Sequence, residues 1–105
     1  MGMQVQVVFR HMNPSVPLRE YAEKKLRRIH RMADKILDVQ VIYNQEKLEL
    51  EVEFRATLHG HAIKVVERSS DAYAATDLAI DKFERQIRRT RERRRERRVG
   101  LPVED

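Results

Sequence analysis

A chain of 105 residues with 41% hydrophobic content has room for one modest core, and its 37% charged residues leave a net charge of +5. The absence of cysteine excludes disulfides and thiolate chemistry, and no apolar run approaches the ~20 residues that a membrane-spanning helix needs. The start, MGMQVQVVFRHM, lacks a charged segment followed by a long apolar one, so a cytoplasmic protein is expected.

In VQVVFRH, Val5, Val7 and Phe9 alternate with Gln6, Val8 and Arg10, the pattern of a strand with one well-buried face. MNPSVP breaks the pattern; Ser15 suits a helix N-cap and Pro17 the first turn. The segment LREYAEKKLRRIHRMADKI then places Leu18, Ala22, Leu26, Ile29 and Ala33 on one helical face. Glu20 with Lys24, and Glu23 with Arg27, add favourable pairs one turn apart.

Val39, Val41 and Tyr43 alternate in DVQVIYNQ, a second strand. The clearest strand follows, with Leu48, Leu50, Val52, Phe54, Ala56 and Leu58 at every second position. Glu49, Glu51, Glu53, Arg55 and Thr57 lie between them, which predicts one apolar face and one wet, mostly acidic face. HGH reads as a turn into AIKVVER, a fourth strand, and SSD offers N-caps for a long second helix from about Asp71.

The order is β-α-β-β-β-α. A strand, a helix and a strand form a right-handed crossover, so the first two strands should be parallel. Short turns join the later strands, which should be antiparallel. Only one sheet face is apolar, so both helices belong on it. The expected fold is an α+β two-layer sandwich with a four-stranded mixed sheet.

Charge is concentrated. Residues 82–98 hold ten Lys or Arg against three Glu, a local +7 that leaves −2 for the rest of a chain carrying +5. After Ile87 no apolar residue appears until Val99, so the second helix outlasts its own core. On the first helix Lys24, Arg27, Arg31 and Lys35 fall opposite the apolar stripe, with Arg19, Lys25 and Arg28 on its flanks. On the second, Lys82, Arg85 and Arg89 stand about 200° round from Ile80, Phe83 and Ile87 at 100° per residue. These sets predict a basic helical side opposite an acidic sheet side.

A solvated surface accounts for the first helix as readily as a ligand does. It accounts poorly for the arginine run, whose self-repulsion a polyanion would relieve. Arginine also suits bidentate phosphate contact and stacking on bases. Phe9, Tyr43 and Phe54 share the parity of core positions, so no aromatic platform is expected on the open sheet face, and recognition of structured RNA by shape and phosphate fits better than base stacking.

LREYAEKKLRRI after the first strand and DAYAATDLAIDKFERQIRR after the fourth, with its D-x-Y-x-A…ID-K-x-x-RQ pattern, resemble the bacterial ribosome hibernation-promoting factors. That family includes ribosome-associated inhibitor A, or protein Y. The resemblance covers about residues 3–95, and the family's fold is the same β-α-β-β-β-α arrangement, similar to a double-stranded RNA-binding domain. It implies binding to the small ribosomal subunit and its ribosomal RNA, in the channel of mRNA and the A- and P-site tRNAs. Translation would be inhibited and idle ribosomes stabilised.

The resemblance implies RNA contacts at Arg19, Lys25 and Arg28 and at Lys82, Arg85 and Arg89, to which the extended helix would add Arg88, Arg91 and Arg93. Tyr73, Ile80 and Phe83 would hold the second helix to the sheet. Thr76 departs from the family's pattern, standing where an aliphatic residue is usual, a change that Leu78 or Ala79 would compensate. Long members continue through a linker into a C-terminal domain that pairs ribosomes. Residues 1–98 are accordingly expected to be the ribosome-binding domain, and 99–105, ending in VGLPVED, a short tail or the start of a linker. A natural short form and an N-terminal domain of a long form both fit, the Pro- and acid-containing tail favouring the second. As this chain, a monomer is expected, with no small-molecule substrate, membrane partner or cofactor.

An enzyme needs a reactive constellation, and no catalytic or metal-binding set is expected. His59 and His61 flank Gly60 without a nearby third ligand. His11 and His30 are isolated, while Asp34, Asp38 and Asp71 read as turn or cap residues. The first alternative function is a generic structured or double-stranded RNA-binding domain that does not distinguish ribosomes. A second makes the Arg/Glu run a helical protein-interaction arm, yet it lacks the apolar a and d positions of a coiled-coil seam.

Overall fold

Alternating apolar residues and two apolar helical stripes leave few ways to build one core, and the computed structural model shows the expected one. It describes residues 3–31, 35–36 and 38–98, with side chains given through residue 93. The elements are β1 (Gln4–Arg10), α1 (Val16–His30), β2 (Asp38–Glu46), β3 (Glu49–Leu58), β4 (His61–Ser69) and α2 (Ala72–Arg98). The sheet order is β1-β2-β3-β4. β1 runs parallel to β2, in a register that sets Val5 beside Val39 and Phe9 beside Tyr43. The other two pairings are antiparallel. Ala33 and the tail 99–105 lie outside the described residues.

Both helices cover one sheet face. Tyr43 of β2 meets Thr76 of α2, Phe54 of β3 packs edge-on against Phe83 of α2 with centroids 5.6 Å apart, and Arg19 of α1 sits over Phe9 of β1. Leu18, Ala22, Leu26 and Ile29 of α1 and Ala75, Thr76, Ala79, Ile80, Phe83 and Ile87 of α2 are buried against the sheet. Burying such side chains stabilises the fold by about 1.5–3 kcal/mol for each of the larger ones. Val5, Val7 and Phe9 are only partly buried, less than their alternation suggests. β1 is an edge strand, with a neighbour on one side only.

The helix starts follow the expected chemistry. Ser15 Oγ accepts from the Leu18 amide at 3.3 Å, with Pro17 in the first turn. Asp71 Oδ1 accepts from the amides of Tyr73 and Ala74, at 2.9 and 3.4 Å. α1 ends at His30, sooner than its sequence stripe, and Ile36 reaches the core from the connection into β2, fully buried. Arg27, Arg28 and His30 in its last turn complement the negative end of the helix dipole.

Two turns set the sheet's register. His59 and Gly60 have φ of 53° and 80°, the paired positive values of a two-residue hairpin turn. A Cβ at Gly60 would meet nothing within 4 Å, so the backbone conformation, not space, is what favours glycine there. His61 belongs to β4, paired with Leu58. Lys47 and Leu48 make the other turn, between the paired Glu46 and Glu49, with Lys47 at φ 54°. Leu48 is thus 88% exposed and does not begin the apolar face of β3.

Candidate nucleic-acid interface

α2 is the element that makes the surface unusual. Its 27 residues give a rod about 40 Å long. Ile87 is its last buried residue among the described side chains, which reach residue 93, and the helix itself runs eleven residues further, to Arg98. Charge is sorted along this rod. Residues 71–84 contain four acids and one Lys, whereas 85–98 contain nine Arg and two Glu. Cations in the C-terminal half meet the negative end of the helix dipole, which favours the helix before any ligand arrives.

Six of the nine cations expected to contact RNA fall into three settings. Arg19 lies on the β1 flank of α1, its guanidinium 5.7 Å from the centre of the Phe9 ring, where planar charge over a ring face is favourable. Lys25 and Arg28 line a groove between the helices together with Asp77, Asp81 and Glu84. Lys82, Arg85 and Arg89 occupy the opposite flank of α2, where the Lys82 ammonium pairs with the Glu67 carboxylate of β4. Arg85, Arg89, Arg91 and Arg93 are exposed, and Arg88 bonds Glu84 one turn back at 2.8 Å.

The cations therefore do not form one sheet of charge. Lys25 Nζ is 3.9 Å from Asp77 and 5.2 Å from the centre of the Tyr21 ring. The Tyr21 hydroxyl donates to Asp77 Oδ1 at 2.6 Å, and this bond, with burial, raises the Tyr21 pKa above its ordinary value. Tyr21 also packs edge-on against Tyr73 with centroids 5.0 Å apart. Tyr73, 40% exposed, therefore joins the two helices and does not hold α2 to the sheet.

The open sheet face is not the acidic surface its glutamates suggest. Glu51 binds Arg68 at 2.9 Å, and Glu53 pairs with Arg55 and with Lys64. Glu51 faces Arg68 across the strands, while Glu53 has Arg55 two residues along its own strand and Lys64 on the diagonal, so both acids are offset where they stand. The Glu51 contact holds the Arg68 pKa above its ordinary value. Polarity runs along α2, from acidic N-terminal half to basic C-terminal half.

Sequence reasoning missed the acids of the groove. Tyr21, Lys25 and Arg28 are spaced by four and three, and so are Asp77, Asp81 and Glu84. Matched spacing of opposite sign on two helices was the available signal. Among the described residues no group of three or more His, Cys, Asp or Glu could hold a metal ion, and no helix is long and apolar enough to cross a membrane.

Residues 5–95 match the family described as Sigma 54 modulation protein / S30EA ribosomal protein. The chain is 40% identical over 100 residues to a ribosome hibernation promoting factor of Azotobacter vinelandii, covering 93% of this chain and 92% of that one. A ribosome hibernation promotion factor of Deinococcus radiodurans is 36% identical over 108 residues, covering 95% of this chain but 56% of the relative. Among solved structures, a ribosomal subunit interface protein from Coxiella burnetii superposes with a TM-score of 0.81 at 32% identity, covering 86% of this chain and 99% of that one. The Thermus thermophilus Protein Y N-terminal domain does so with a TM-score of 0.75 at 30% identity and the same coverage. With sequence and fold in agreement over nearly its whole described length, the chain belongs to the Sigma 54 modulation protein / S30EA ribosomal protein family.

Proposed function

We propose that this protein is a ribosome hibernation factor that binds the small ribosomal subunit through ribosomal RNA. It occupies the channel otherwise taken by mRNA and the A- and P-site tRNAs, which stops translation and stabilises idle ribosomes. The names of its relatives support the ribosome as partner. The observation that carries the reading is α2 itself, a helix that continues for eleven residues past the buried Ile87 with almost nothing but arginine and glutamate. A rigid basic rod suits a phosphate-lined channel, because each Arg can meet phosphate in bidentate fashion.

The test is co-sedimentation of the purified chain with isolated small subunits at moderate salt, with two competitors. Displacement by mRNA plus initiator tRNA, with bulk duplex RNA ineffective, is the expected result. Loss of binding to duplex RNA alone would instead identify a generic structured-RNA binder, and no binding would end the reading.

A further inference from the structure

The groove between α1 and α2 has the wrong charge for a simple phosphate site. Its α1 wall supplies Lys25 and Arg28, and its α2 wall supplies Asp77, Asp81 and Glu84. Lys25 already has an anion 3.9 Å away in Asp77, which also holds the Tyr21 hydroxyl. Glu84 is engaged by Arg88, while Asp81 is exposed and has no partner among the described residues. A phosphate entering here would displace an existing counter-anion and lie beside two further carboxylates. Non-specific RNA affinity comes from cations that release bound counterions, and a cation already paired within its own chain releases fewer.

We infer that Asp81 and Glu84, with Asp77, determine specificity by excluding phosphate from the groove between the helices. This rests on the reading of the protein as an RNA binder. Phosphates are taken on the outer flank of α2 and its C-terminal half, where Arg85, Arg89, Arg91 and Arg93 are exposed. The groove acids weaken attachment to arbitrary RNA, for which only the phosphates are common ground, and leave the ribosomal site favoured.

The experiment compares wild type, Asp77→Asn/Asp81→Asn, which leaves the Arg88–Glu84 pair intact, and a control, Glu46→Gln/Glu49→Gln, which removes the same charge at the β2–β3 turn. Each is titrated with non-ribosomal duplex RNA across a salt series and with isolated small subunits, and thermal melting reports folding. The groove variant should bind duplex RNA about threefold to tenfold tighter than wild type, and more tightly than the control, while its preference for small subunits over duplex falls. Its salt dependence should steepen by about 0.7–0.9 for each phosphate newly neutralised. Equal gains in the groove variant and the control, or no gain in the groove variant, would overturn the inference. A wild type that fails to bind small subunits would defeat the proposed function separately, since the duplex titration reads the groove on its own.

Discussion

The Tyr43 hydroxyl and Thr76 Oγ1 lie 2.7 Å apart in the core, both side chains fully buried. Thr76 Oγ1 donates to the Ala72 carbonyl at 2.8 Å, so it accepts from Tyr43. The buried threonine is thereby explained: its partner is a strand tyrosine, not Leu78 or Ala79. Leu78 is half-exposed and Ala79 packs without a polar role.

Thr76→Val should destabilise the fold by about 1–3 kcal/mol, because the Tyr43 hydroxyl would be left in the core without an acceptor. Tyr43→Phe in the same chain should restore most of the loss. Urea unfolding of both single variants and the double variant measures the coupling.

Burial pushes the Tyr43 hydroxyl up to about 12, the largest cause outweighing its bond to Thr76. The raised value means that the folded state holds this proton where the unfolded state, near 10, has released it. Its contribution is complete below pH 10 and is lost as pH rises from about 10 through 12. Wild type should lose stability over that window more steeply than Tyr43→Phe, by up to about 1.4 kcal/mol per pH unit. Parallel stability curves for the two would contradict this.

Asp71→Ala removes the acceptor of the Tyr73 and Ala74 amides and should cost about 0.5–2 kcal/mol of stability. Asp71→Ser should recover much of it, read by the same unfolding experiment.

Arg85→Glu/Arg89→Glu should weaken small-subunit binding at least about tenfold and leave the melting temperature nearly unchanged, since both side chains are exposed. Lys82 is better left in place for this test. Its ammonium pairs with Glu67, whose side chain is only 13% exposed, and reversing it would bring two carboxylates together at the sheet edge.

The order of elements, the parallel pairing of β1 and β2 and the single helix-covered face were legible because periodicity is a property of the chain itself. The alternation of Leu50, Val52, Phe54, Ala56 and Leu58 has one reading, and the stripe of Ile80, Phe83 and Ile87 another. Leu48 misled because its parity continued the strand, and Lys47 gives no sign in sequence that it adopts a left-handed turn. The glutamates of β3 misled in part for a similar reason: Arg55 stands on the same strand, but Arg68 and Lys64 lie on another, and pairing across strands is fixed only by register. At the candidate interface the cations were visible and their neighbours were not. That Lys25 faces Asp77, and Lys82 Glu67, depends on how two helices and a strand are placed together, which no one-dimensional pattern states.

The most direct test of the central claim, that α2 outlasts its core in order to hold phosphates, is the salt dependence of small-subunit binding for wild type and Arg89→Gln/Arg91→Gln/Arg93→Gln. Plotted as log affinity against log salt, the variant's slope should be shallower by about 2–3, or 0.7–0.9 for each phosphate contact removed. Coincident slopes would show that the arginines beyond Ile87 touch no phosphate, and the claim would fall.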